Sequence, residues 1–219
     1  MRQAVTEVPH SLRGEVHIID DFYEKPDAVR RLALDAEFVG FDGRANFPGG
    51  ESVKAYWSPQ HRDRFAELVG KAIDIDPSQW VFGKFRLALA NETGRTKVHV
   101  DFVDWTAVIY LSLDTDCSGG LGIYRHRETG LERVPRGSDL AAYRCSSLEE
   151  FDSRYIMRDS LHDDRWELLH QVDIRYNRCV LFRGSRLFHG ITRTFGGGSA
   201  DGRLTQNFFF MDAVEGSSA

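Results

Sequence analysis

Apolar positions fall into two regimes along the chain, helical spacing first and strand-like runs afterwards. After a strand-like EVHIID at 15–20, the segment PDAVRRLALDAEF (26–38) repeats Ala28, Val29, Leu32, Ala33 and Ala36 at helical intervals, which predicts a helix opening near Pro26. Pro26 and Asp27 suit a first turn, where an amide proton is not needed and negative charge faces the positive end of the helix dipole. HRDRFAELVGKAI (61–73) sets Phe65, Leu68, Val69 and Ile73 on one face and predicts a second short helix. Between the two, glycine-rich GFDGRANFPGGES (40–52) reads as a surface loop.

From about residue 80 the pattern changes. WVFGKFRLALA, TAVIYLSL, GLGIYRH, WELLHQVDI, NRCVLFRG and RLTQNFFFM are short, β-branched or aromatic, and separated by turn residues. They predict a sandwich or barrel over the C-terminal two-thirds. The charged stretch 138–165 breaks the alternation and reads as a partly helical insertion. No repeat or linker divides the chain. The expected architecture is α+β, mainly β: a single domain over 1–219, with a helical part at 1–79 packed against a β core at 80–211.

Composition changes this picture little. A chain of 219 residues can bury one sizeable core, and a net charge of -5 gives no general reason to bind nucleic acid or an anionic membrane. No apolar run approaches the roughly 20 residues of a membrane helix, and the first residues lack the charged start and apolar stretch of a secretory leader. Cys117, Cys145 and Cys179 are widely spaced without a CxxC, which suits buried thiols in a reducing compartment. A cytoplasmic location is the expectation.

The chemistry concentrates at VHVDF, residues 98–102. His99 and Asp101 are two apart, so on an extended strand an imidazole and a carboxylate share one face and can converge on one ion. Two histidines and one carboxylate leave open positions on iron(II), and His189 in LFHGI, 189 − 99 = 90 residues later, is the candidate third ligand. Gly190 beside it allows close backbone approach. Alone the HxD pair carries little, since a chain with eight histidines offers several chances of one.

Its surroundings carry more. KVHVDFVDWTAVIYLSLDTDCSGGLGIYRH, followed by NRCVLFRGSRLFHGI and then GRLTQNFFF, resembles the core of the prolyl-hydroxylase-like branch of the iron(II)- and 2-oxoglutarate-dependent dioxygenases. The resemblance covers about residues 80–211, with a weaker echo in DDFYEKPDAVRRLA. It implies a double-stranded β-helix, a jelly-roll and cupin-like core, with iron(II) on His99, Asp101 and His189. It also implies 2-oxoglutarate and O2 as cosubstrates, and Arg203 as the anchor whose guanidinium pairs with the distal carboxylate. Tyr110 and Tyr124, on two central strands, are further candidates for touching the cosubstrate, packing being their other reading. His189 and Arg203 are 203 − 189 = 14 apart, longer than the close spacing typical of the branch. The GGGSADG turn at 196–202 is expected to absorb the excess as a lengthened hairpin, and Arg193 is the rival anchor. Alternation sets Arg203, Thr205, Asn207 and Phe209 on one face of the last strand. Asp101 stands where related halogenases have a small residue, so the implied activity is hydroxylation of an unactivated C–H bond with release of succinate and CO2.

Weaker candidates are Trp105 (pocket wall or core cap), Asn177 (turn residue), His162 and His170 (surface), and Arg44, Lys54 and Tyr56 around a substrate lid. A cupin-like metal dioxygenase without 2-oxoglutarate, or a metal-binding module without turnover, uses the same three ligands; dependence on Arg203 separates the first. A zinc hydrolase lacks a separate general-base motif such as HExxH. The expected substrate is an amino acid, peptide or small metabolite, with no nucleic acid or membrane partner. The sequence does not indicate an oligomeric state.

Overall fold

The computed structural model describes residues 8–40 and 46–214. Eleven strands occur among them: β1 (Val16–Ile19), β2 (Phe38–Val39), β3 (Gly50–Ala55), β4 (Ile73–Asp74), β5 (Phe82–Ala88), β6 (Trp105–Tyr110), β7 (Gly120–His126), β8 (Trp166–Asp173), β9 (Cys179–Phe182), β10 (Phe188–Ile191) and β11 (Arg203–Asp212). All pair antiparallel. The larger sheet runs β1-β9-β6-β11-β5-β3-β2, with β4 on the end of β11; the smaller runs β10-β7-β8. No helix among the described residues is long and apolar enough to cross a membrane.

Two helices, α1 (Pro26–Leu34) and α2 (Pro59–Val69), cover one face of the larger sheet. Ala33 and Phe65 meet Leu204, Phe208 and Phe210 of β11 there, all essentially inaccessible to water. Both helices stop short of the periodic segments. Gly70 ends α2 in the left-handed region at φ 74°, so Ile73 pairs with Asp212 in β4 instead of extending the helix. Part of the glycine-rich loop is also a strand, since Gly50, Glu51 and Ser52 belong to β3.

The opposite face of the larger sheet looks toward the smaller one. Tyr110, Val180 and Phe182 pack against Leu121, Ile123 and Val172 across that gap. The insertion is partly helical: α3 (Leu148–Phe151), a π-helical turn (Asp152–Ile156) and α4 (Met157–Asp159). It forms a third cluster with Tyr124, Trp166 and Phe188. β10 and β11 are not hairpin partners, contrary to expectation. β10 belongs to the smaller sheet and β11 to the larger, so the 196–202 turn carries the chain from one sheet to the other. The Asp201 carboxylate closes that turn by accepting the amides of Gly197 and Gly198. Cys145 and Cys179 are buried and Cys117 half-buried, all three free thiols.

Candidate metal centre

His99 and His189 face each other across a short antiparallel bridge that extends the smaller sheet beyond β10. The two residues exchange both backbone bonds, each 2.9 Å, the arrangement that puts both side chains on one side of the ladder. Asp101, two residues on, is tied down separately, its amide donating to the Gly184 carbonyl at 3.0 Å. His189 Nδ1 lies 2.8 Å from the Leu187 carbonyl oxygen, a contact only a protonated nitrogen makes, which leaves Nε2 free to ligate. That Nε2 is 3.2 Å from Asp101 Oδ2, and His99 Nε2 is 3.6 Å from Asp101 Oδ1. One donor atom from each residue lies within 4.8 Å of the others. Two imidazole nitrogens and a carboxylate oxygen converging from one side suit a divalent first-row metal with open positions opposite.

The protonation states suit it too. Burial pushes His99 down to about 3, with the His189 charge adding and Asp101 opposing. Burial alone raises Asp101, but the charges of His189 and His99 and the hydrogen bonds of His189 and Thr106 outweigh it and hold the carboxyl at about 2. At neutral pH His99 is thus a neutral donor and Asp101 an ionised one, the forms that bind metal.

Small residues make the convergence sterically possible. A Cβ on Gly190 would meet the Lys97 carbonyl oxygen at 2.2 Å, and one on Gly184 would meet Asp101 Oδ2 at 2.6 Å. Because the Lys97 oxygen is main chain and cannot swing away, Gly190→Ala is expected to part the His99 segment from β10. A cost of about 1–3 kcal/mol and reduced metal content are the expected results, read by thermal melting and metal analysis. Thr106 Oγ1 donates to Asp101 Oδ2. Thr106→Val removes that donor at nearly constant volume and is expected to lower metal affinity by roughly 10–100-fold, with little change in melting temperature. Metal titration followed by calorimetry checks it.

The three residues share a cavity of about 130 Å³ with Arg86, Arg203 and Asn207, walled by Val108, Leu121, Phe182 and Phe209. The inward faces of β6 and β11 build it through the cross-strand pairs Thr106–Phe209 and Val108–Asn207, with Arg203 beyond; the next pair on that face, Tyr110–Thr205, lies behind the lining. Arg203 is buried, sits 5.4 Å from the centre of the Tyr110 ring, and makes no ion pair with a described carboxylate. Its Nε lacks a hydrogen-bond partner, as do Tyr110 Oη, Thr205 Oγ1 and Asn207 Oδ1. Four such atoms on one inward face are too many for a finished core, where buried polar groups are almost always paired. Arg86, opposite Thr205 on β5, adds a second guanidinium, held loosely by Glu51 at 3.5 Å. Burial lowers its pKa; Glu51 opposes that shift and the Arg203 charge adds to it. A small dianion fits this chemistry: a metal for one end, unpaired guanidinium and hydroxyl groups for the other.

Other candidates fall elsewhere. Arg193 is exposed and donates to Ser118 Oγ at 3.3 Å; it lines an open groove of about 700 Å³ that also reaches His99, but not the small cavity that holds all three donors. Tyr124 stands on the opposite face of β7 from Ile123, against Trp166 and Phe188, because strand alternation turns it away from the cavity. The expectation that it touches the cosubstrate is corrected accordingly. Trp105 is core, its Nε1 donating to Asp212 and its ring under Arg183. Asn177, at φ 63°, is a turn residue whose amide side chain clamps the Tyr23 backbone. Lys54 is exposed on β3, Tyr56 packs on Phe85, and Arg44 lies outside the described residues. His162 is exposed and His170 half-buried on β8, neither in the cavity. Sequence reasoning missed Arg86 and Thr106. The signal for Arg86 was a charge at an interior position of an otherwise apolar strand; Thr106 carried none.

The sequence model of DUF6445, a family of unknown function, matches residues 2–210. No curated protein matches the sequence. Among solved structures, HygX from Streptomyces hygroscopicus with nickel and 2-oxoglutarate bound is similar at a TM-score of 0.48 and 15% identity, over 93% of this chain and 85% of that one. HygX with nickel, 2-oxoglutarate and hygromycin B bound gives 0.46 and 12%, over 93% and 86%. These are remote likenesses.

Proposed function

The chain belongs to DUF6445, a family of unknown function, and from its site we propose that it is a non-haem iron(II)- and 2-oxoglutarate-dependent oxygenase. The reading includes a single dioxygenase domain on a double-stranded β-helix of the prolyl-hydroxylase-like kind. One observation carries it: the His99–Asp101–His189 donor set and the buried, unpaired Arg203 line the same small cavity.

In this reading the three donors hold iron(II), and Arg203 takes the distal carboxylate of 2-oxoglutarate with Tyr110 and Thr205 as neighbouring hydroxyl groups. Bound iron, 2-oxoglutarate and O2 supply the oxidising chemistry: one oxygen atom enters an unactivated C–H bond, the other leaves in succinate, and CO2 is released. The protein's part is placement and exclusion of water. Thr106 orients Asp101, Leu187 fixes the His189 ring, and the walls of Val108, Leu121, Phe182 and Phe209 keep the cavity dry. The substrate class is an amino acid, peptide or small metabolite.

Calorimetric titration of the anaerobic iron(II)-loaded protein tests the two-ended site. 2-Oxoglutarate should bind more tightly than glutarate, which lacks the ketone, and more tightly than pyruvate, which lacks the distal carboxylate. Equal binding of the three contradicts the proposal.

A further inference from the structure

A second cavity, of about 300 Å³, reaches His99 and Asp101 from the side of the insertion. Its apolar wall is Phe47, Val100, Phe102 and Met157, of which Phe102 is 52% and Met157 42% exposed. Large apolar side chains left in water beside a metal centre form a surface suited to the carbon skeleton of a ligand.

The polar part of this cavity is nearly used up. Thr96 Oγ1 donates to the Asn46 carbonyl, His99 and Asp101 are the proposed ligands, and the exposed Asn46 amide is a neutral group at the rim, so the remaining charged group is a carboxylate. Asp152 remains, on the π-helical turn, a local widening of the helix that recurs at functional sites. Its half-buried carboxylate makes no hydrogen bond or ion pair among the described residues. Other carboxylates of this region have partners, Glu150 with Arg154 and Ser146, Asp159 with Arg158 and His126, Asp163 with Lys97, while Glu149 is exposed to water. No lysine or arginine lines the cavity among the described residues. Burial, with the Glu149 charge adding, pushes the Asp152 carboxyl up to about 6, as expected of a carboxyl without a counter-cation.

We propose that Asp152 orients the substrate by binding its ammonium or guanidinium group, so that the enzyme takes a cationic amine whose apolar part lies against Phe47, Phe102 and Met157 beside His99. The proposal rests on the oxygenase reading for its chemistry, whereas the binding it asserts is measured without turnover. A charged hydrogen bond between substrate and a partly desolvated carboxylate selects amines over neutral or acidic molecules of the same shape.

The probe is phenethylammonium, with 2-phenylethanol as its neutral and 3-phenylpropanoate as its anionic counterpart. Each is titrated calorimetrically into the wild-type chain and into Asp152→Asn and Asp152→Glu variants that melt at the wild-type temperature. Phenethylammonium should bind most tightly. Asp152→Asn should weaken it by roughly tenfold or more without affecting 2-phenylethanol, and Asp152→Glu should restore part of the difference. Phenethylammonium binding no better than 2-phenylethanol, or equal weakening of both in Asp152→Asn, overturns the proposal, as does the absence of any binding. If a variant fails to fold, the wild-type ranking alone decides. 2-Oxoglutarate titrated into the same samples reports separately: an intact probe ranking supports the cation site even where 2-oxoglutarate fails to bind and the oxygenase reading falls.

Discussion

Replacing His189 with alanine is expected to yield a folded protein that retains no iron and has no turnover. The backbone bridge to His99 survives the change, because both bonds are main chain. What goes is one of three metal donors, and two remaining donors do not hold an exchangeable divalent ion against dialysis. The loss should therefore exceed the roughly 10–100-fold that removal of a supporting partner costs. A second effect follows from Asp101. Its carboxyl is held at about 2, below the ordinary 3.8, chiefly by the charge and hydrogen bond of His189 working against burial. A depressed carboxylate contributes stability that is present above 3.8 and lost as pH falls to about 2. In His189→Ala burial dominates, and that contribution disappears. Metal content and the pH dependence of melting in metal-free protein measure the two effects independently. Retention of stoichiometric iron by the variant would remove His189 from the ligand set.

Arg203→Met is expected to abolish 2-oxoglutarate binding while making the cosubstrate-free protein more stable. Truncating one side of a buried, hydrogen-bonded charge pair costs about 2–5 kcal/mol, so affinity should fall by well over an order of magnitude. The stability effect has the opposite sign because the free protein gives Arg203 no carboxylate partner and sets it near Arg86. A desolvated, unpaired cation is a cost of folding that methionine removes, for a gain of roughly 1 kcal/mol. Arg203→Lys should rescue binding only in part, since an ammonium cannot make two parallel bonds to a carboxylate. Thermal melting with and without 2-oxoglutarate reads both effects: wild type rises on addition, and Arg203→Met starts higher and does not move. Ordinary binding by the variant would leave Arg203 a structural residue.

Much of this arrangement was legible because it is local. Alternation set Arg203, Thr205, Asn207 and Phe209 on one face, and the register of β11 against β6 places them inward as that pattern implies. The HxD spacing placed His99 and Asp101 together for the same reason, although only His99 is in a bridge and Asp101 is held by the turn at Gly184. What was not legible depends on contacts between distant segments. β10 is short and the pairing of β3 with β5 is interrupted by a register shift, so their partners decide their state more than their own residues do. Tyr110 and Tyr124 look alike in the sequence, but the even positions of β6 and the odd positions of β7 face the gap between the sheets, so Tyr110 packs beside Arg203 and Tyr124 turns away. Arg86 reaches the site only because β5 lies beside β11. Asp152 gave no signal, being one acid among many in a charged stretch.

Whether this is an iron–oxoacid centre is tested most directly by adding 2-oxoglutarate anaerobically to the iron(II)-loaded protein. The predicted result is a weak visible metal-to-ligand charge-transfer band, absent with either component alone and absent in His189→Ala. Iron bound at one equivalent with no such band at saturating 2-oxoglutarate would contradict it.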